Sequence, residues 1–223
     1  MPVDAMIKLS LWLRKYIDLF GKVCSVFILP LVFVTMWDVF LRKLGGLHYW
    51  LYTHFGSIFE STKIQEWEWH FHTMLFCLVL GYGFVNNRHV RVDLLREKMS
   101  GRMQAWVEFL GCTFALIPFC TIVGYFALVS VIDSYKMNEV SASLVGLGHR
   151  WMIRSVLVIG LVVTAAAGFA VWLQAVIYLF GPKEVRFELM TLNWPEDLEK
   201  LASRARATKS KQAEDKAARK ATA

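Results

Sequence analysis

The side chains with the most versatile chemistry in this 223-residue sequence are six histidines and four cysteines, and their spacing argues against a reactive site. His70 and His72 lie two apart, so on a helix they point to different sides. A haem held in a helical bundle needs histidines on facing helices. The other four, His48, His54, His89 and His149, all fall outside the long apolar runs. Cys24, Cys77, Cys112 and Cys120 fall inside those runs with no CxxC pair, the usage of small packing residues and not of a disulfide or zinc framework. No glycine-rich phosphate loop, nucleophile elbow, HExxH or paired intramembrane carboxylate occurs, so catalysis is not expected.

Charges inside apolar runs are costly and usually functional, and this chain has few. Asp38 and Arg42, four apart, are placed to pair on one helix face. Glu108 can snorkel or meet Arg102, and Asp133 and Gln174 lie towards the ends of their runs. That pattern describes anchoring polar groups, not a proton relay or an ion path.

The elements carrying these residues are membrane helices. The sequence is 56% hydrophobic and 19% charged, with a mean hydropathy of +0.42, too apolar for a water-soluble domain of this size. A span needs about 20 mostly apolar residues, and such runs occur at about 23–41, 69–85, 104–132 and 152–180. Stretch 157–170 is apolar on every side, unlike the alternating strands of a β-barrel. The first run holds Trp37 and Asp38 and is followed by no small-x-small cleavage pattern, so it reads as a retained anchor. The fold class expected is an all-α integral membrane protein: a 1–22 cytoplasmic segment, a 23–182 four-helix membrane domain and a 183–223 basic, partly disordered cytoplasmic tail.

Lysine and arginine set the orientation. Lys8, Arg14, Lys15 and Lys22 precede the first run, and Arg88, Arg91, Arg96, Lys98 and Arg102 lie between the second and third. The opposite loops are poorer, which places both termini in the cytoplasm. The tail is rich in Lys, Arg and Ala, with a helix-start pattern at Asn193–Asp197. The net charge of +7 is then explained by topology and by contact with anionic lipid, with no role for nucleic acid. Residues 47–69 mix aromatic and histidine side chains, which suits one or two short interfacial helices, with Thr62-x-x-Gln65 as a capping box into the second span. Pro30 and Pro118 are expected to kink the first and third spans. Gly160, Thr164 and Gly168 form a small-residue row, as do Gly111 and Ala115, expected to pack within the chain's own bundle.

Gln65-Glu66-Trp67, Gly81-Tyr82, Asn87-Arg88-His89-Val90-Arg91-Val92-Asp93, Ser100-Gly101-Arg102, Ala105-Trp106, Asn138-Glu139-Val140-Ser141 and Gly146-Leu147 ahead of Trp151 stand in an order with a known counterpart. Over residues 37–180 the chain resembles the DctQ-type small permease subunit of tripartite ATP-independent periplasmic (TRAP) transporters. The Arg-His-Val-Arg-Val-Asp run carries the resemblance most specifically. Gly148 stands where many relatives have proline, and the aromatic first loop and the basic tail are larger than usual.

The resemblance implies a complex of three parts. A periplasmic solute-binding protein captures an organic acid, a large membrane subunit holds the sodium and substrate sites, and the small subunit acts as a scaffold with no cofactor of its own. No particular substrate is carried over. Arg88, His89, Arg91, Asp93, Glu66 and Trp67 are the residues expected at subunit or lipid interfaces. Arg88 and Arg91 suit lipid phosphate and Asp93 suits the cap of a short helix beginning at Leu94, although a simple positive-inside loop would look the same. A membrane-bound redox or enzyme subunit and a self-contained homo-oligomeric channel are the rival readings.

Overall fold

The computed structural model describes residues 3–88, 99–143, 146–182 and 187–192, and every regular element among them is helical. Helix α1 (Val3–Cys24) runs through a 3-10 turn, Ser25–Phe27, into α2 (Ile28–Lys43). Short α3 (Gly45–Phe55) and a second 3-10 turn (Gly56–Phe59) lead to α4 (Ser61–Val85). Helix α5 (Gly101–Leu110) continues through a π-helical stretch, Gly111–Leu116, into α6 (Ile117–Lys136), and α7 (Trp151–Phe180) completes the bundle.

Three helical runs among the described residues are long and apolar enough to cross a membrane: Val3–Lys43, Gly101–Lys136 and Trp151–Phe180. The first has 41 residues, about 60 Å at 1.5 Å per residue, or about twice the hydrocarbon thickness. Its leading half therefore extends the span as an amphipathic helix, burying Ser10, Ile17, Gly21 and Cys24 and exposing Lys8, Lys15 and Lys22. Helix α4, with 25 residues, is long enough, but its first half carries Lys63, Glu66, Glu68, His70 and His72.

Both prolines mark breaks in the α-helical ladder. Proline has no N–H for the carbonyl four residues back, which is Val26 for Pro30 and Phe114 for Pro118, and those residues sit in the 3-10 and π stretches. The π stretch is tied to α7, because the Trp172 indole N–H donates to Thr113 Oγ1 at 2.9 Å while that hydroxyl donates to the Phe109 carbonyl.

Helix α7 is the hub, in contact with α1, α4, α5 and α6. Its row of small residues permits this. A Cβ on Gly160 would lie 2.5 Å from the Cys77 carbonyl oxygen, and one on Gly168 would lie 2.5 Å from Leu116 Cδ2. Thr164 turns its hydroxyl onto the Gly160 carbonyl of its own helix. The row is thus spent within the bundle, as expected from its spacing. Gly111, by contrast, faces open space. The core joins Ile17 of α1, Val85 of α4, Cys112, and Ala167, Ala170 and Val171 of α7. All four cysteines are free and buried, the packing role their positions suggested.

Beyond α7 the chain folds back. Gln174 Oε1 accepts from the Met190 N–H at 2.8 Å, Arg14 pairs with Glu188 at 3.0 Å, and Met190, Thr191 and Leu192 are buried. Six residues placed by composition in the tail thus pack against α1 and α7. The Asn193–Asp197 helix start and the basic run beyond it lie outside the described residues.

The capping box is corrected. Helix α4 starts at Ser61 after an extended Glu60, and no side chain caps it. Gln65 reaches the Ser61 hydroxyl at 3.5 Å, and that hydroxyl donates to Asp38 Oδ1 at 3.4 Å. The tie to α2 fixes where the helix begins, and Thr62 becomes an interior residue. Asp38, fully buried, also receives Arg42, the pairing expected from their spacing.

Candidate functional site at the polar end of the bundle

The loop between α6 and α7 is shaped by backbone torsions that suit asparagine and histidine, φ +48° at Asn138 and +57° at His149. Between them Ser141 N–H donates to the Leu147 carbonyl and Gly146 N–H to the Ser143 carbonyl. The fold brings this loop onto the first turns of α4, where Glu66 receives it. One carboxylate oxygen accepts from the Ser141 hydroxyl, the other from the Leu147 backbone N–H. Gly146 is required there, because a Cβ would lie 2.3 Å from Ser141 Cβ and 2.6 Å from Glu66 Oε1.

Glu66 lies three residues ahead of the apolar run 69–85. Burial pushes its carboxyl up, but the two hydrogen bonds and the charges of Arg150 and His70 outweigh that cost, so it sits below the ordinary carboxylate value. It is therefore an ionised latch between sequence-distant segments.

A second cluster adjoins it. Glu139 Oε1 accepts from Arg154 Nη2 at 2.7 Å, and Arg154 Nη1 donates to Ser130 Oγ at 2.6 Å, joining the end of α6 to the start of α7. Arg150 stands 4.0 Å from the same carboxylate oxygen. Glu66, Trp69, His70, Leu147 and Arg150 together line a recess of about 310 Å³.

At the other end of the bundle, Asn86 donates to Asp18 Oδ1 at 3.0 Å while Lys22 pairs with Asp18 at 2.6 Å, clasping α1 to the end of α4.

The residues proposed from the sequence are thereby separated. Glu66 is the latch. Trp67 turns to another face, stacking on Phe71 at 5.7 Å beside an apolar recess lined also by Val34, Trp37, Phe59 and Ile64. Arg88 is exposed just past α4, its N–H on the Gly83 carbonyl. His89, Arg91 and Asp93 lie outside the described residues. Sequence reasoning did not assign Ser141, Leu147, Arg150 or Arg154 to a site. The only signal for Ser141 and Leu147 was the Asn-Glu-Val-Ser and Gly-Leu motifs, which had no stated partner, and Arg150 and Arg154 belong to neither.

These features define an all-helical membrane protein whose described polar groups concentrate towards the ends of an apolar bundle. The family model for tripartite ATP-independent periplasmic transporters, DctQ component, matches residues 31–177, and the chain belongs to that family. It is thus a small permease subunit of a TRAP transporter, and not an enzyme. Comparison with curated proteins and with solved structures returned no match.

Proposed function

We propose that the chain is the stationary scaffold of its transporter, crossing a bacterial inner membrane four times with both termini cytoplasmic. It supports a large subunit that moves an organic acid or related solute with sodium, and it presents the α3 and α6–α7 loop end to the periplasmic binding protein. The observation that carries this reading is the closed middle of the bundle. Gly160 of α7 lies against Cys77 of α4 and Gly81 of α4 against Val163 of α7, Leu78, Thr164 and Ala167 are buried as well, and the polar clusters described stand towards the two ends. A solute path has no lining there, whereas rigid support needs none. Arg88 and Arg91 then anchor the cytoplasmic end on anionic headgroups and the large subunit.

Proteoliposomes test the scaffold role. The chain alone transports nothing, and uptake appears when the large subunit and binding protein are added. Sodium-dependent accumulation, or conduction by the chain alone, refutes it in favour of the channel reading.

Four spans follow if α4, flanked by α1, α2 and α7, crosses with them. A cysteine at Lys98 should be shielded in intact cells from an impermeant maleimide and react once cells are opened, while one at Tyr49 should react in both. Labelling at Lys98 in intact cells would invert the topology.

A further inference from the structure

The recess beside the Glu66 latch has the composition of a zwitterionic headgroup site. It opens where two apolar runs begin, at Trp69 of α4 and just after Arg150 at the start of α7. Trp69 is 71% exposed, and the exposed Tyr135 meets the Trp151 ring edge-on at 5.5 Å, the aromatic belt of a membrane interface.

Its charges are of both signs. Arg154 already serves Glu139 at 2.7 Å, so Arg150, at 4.0 Å and beyond hydrogen-bonding distance, keeps guanidinium donors for another acceptor. Its side chain is 43% exposed. His70 spends Nδ1 on the Glu66 carbonyl, which leaves Nε2 for the recess. The Glu66 carboxylate accepts one hydrogen bond at each oxygen and retains lone pairs.

We propose that this recess binds the headgroup of a phosphatidylethanolamine-type lipid. The phosphodiester lies on Arg150, and the ammonium lies between the Glu66 carboxylate, the His70 Nε2 lone pair and the Trp69 ring. The Glu66 charge selects against a purely anionic headgroup, and the primary ammonium, with N–H donors, is favoured over a quaternary one. A lipid held there would cement the α6–α7 loop to α4 from the membrane side. This inference rests on the chain's membrane insertion and not on its transport role.

The test uses the full-length chain alone, delipidated in mild detergent and titrated with dioleoyl phosphatidylethanolamine, phosphatidylcholine or phosphatidylglycerol, with retention read by native mass spectrometry. Phosphatidylethanolamine should bind about tenfold more tightly than phosphatidylglycerol, and Arg150→Gln should lower its retention about tenfold, with Arg150→Lys recovering part of it. Millimolar inorganic phosphate should not displace the lipid. Monodispersity and helicity of each variant confirm folding, and Glu66→Gln, which removes the charge that holds the ammonium, supplies a second variant should Arg150→Gln not fold. Equal retention by wild type and Arg150→Gln, or by wild type and Glu66→Gln where only that variant folds, overturns the proposal. So does preference for phosphatidylglycerol, displacement by free phosphate, or an Arg150→Gln phenotype confined to docking of the binding protein.

Discussion

Gly160→Ala should destabilise the purified protein by about 2–3 kcal/mol, the upper range for overpacking a tight interior. The added Cβ would lie 2.5 Å from the Cys77 carbonyl oxygen and 2.8 Å from its carbon. These are backbone atoms of a neighbouring helix, so relief requires α4 and α7 to separate and no side-chain rotation suffices. Gly160→Leu should prevent accumulation of folded protein. The control is Gly124→Ala on α6, where a Cβ would meet nothing within 4 Å. There the gain in helix propensity should leave stability unchanged or slightly raised. Thermal unfolding in detergent compares wild type, Gly160→Ala and Gly124→Ala, and the yield of folded protein reads Gly160→Leu. A Gly160→Ala midpoint equal to wild type would mean that α4 and α7 do not pack at this distance.

Glu66→Ala should release the α6–α7 loop at a cost of about 2–3 kcal/mol, since it strands the Leu147 N–H and the Ser141 hydroxyl, both bonded to a charged acceptor. Glu66→Gln should cost much less. Its amide oxygen can accept from Leu147 while its NH₂ donates to the Ser141 hydroxyl, which serves in either role. Hydrogen exchange at residues 141–147 reads the difference directly, and under the proposed docking role binding-protein-dependent uptake falls with Glu66→Ala while assembly with the large subunit survives. The same bond gives a pH signature. Because the folded carboxyl titrates below its ordinary value, its contribution is complete above about pH 4.3, the unfolded glutamate value, and is lost as pH falls through the folded one. Loop protection should therefore hold from pH 8 to 5 and weaken only in stronger acid. Equal exchange in wild type and Glu66→Ala would show that the loop is held by other contacts.

By itself the sequence determined the solvent of this protein and much of its internal logic. Apolar runs of more than 16 residues admit only helices in lipid, Pro30 and Pro118 must interrupt the ladder wherever they fall, and a glycine–threonine–glycine row invites close packing. Such properties are local, set by one residue and its helical neighbours, and so are legible without coordinates. The family was legible too, because the Arg-His-Val-Arg-Val-Asp run and its companions keep their order along the chain. Tertiary structure alone decided which partners those residues take. Glu66 and Leu147 are 81 positions apart, and nothing periodic along a helix encodes a carboxylate meeting a loop N–H at that separation. The same holds for Gln174 receiving the returning segment 187–192 and for Asp38 drawing the start of α4 back to Ser61. In each case a polar group within an apolar bundle must find its partner across the fold. The cost of leaving it without one, and not any sequence pattern, selects the arrangement.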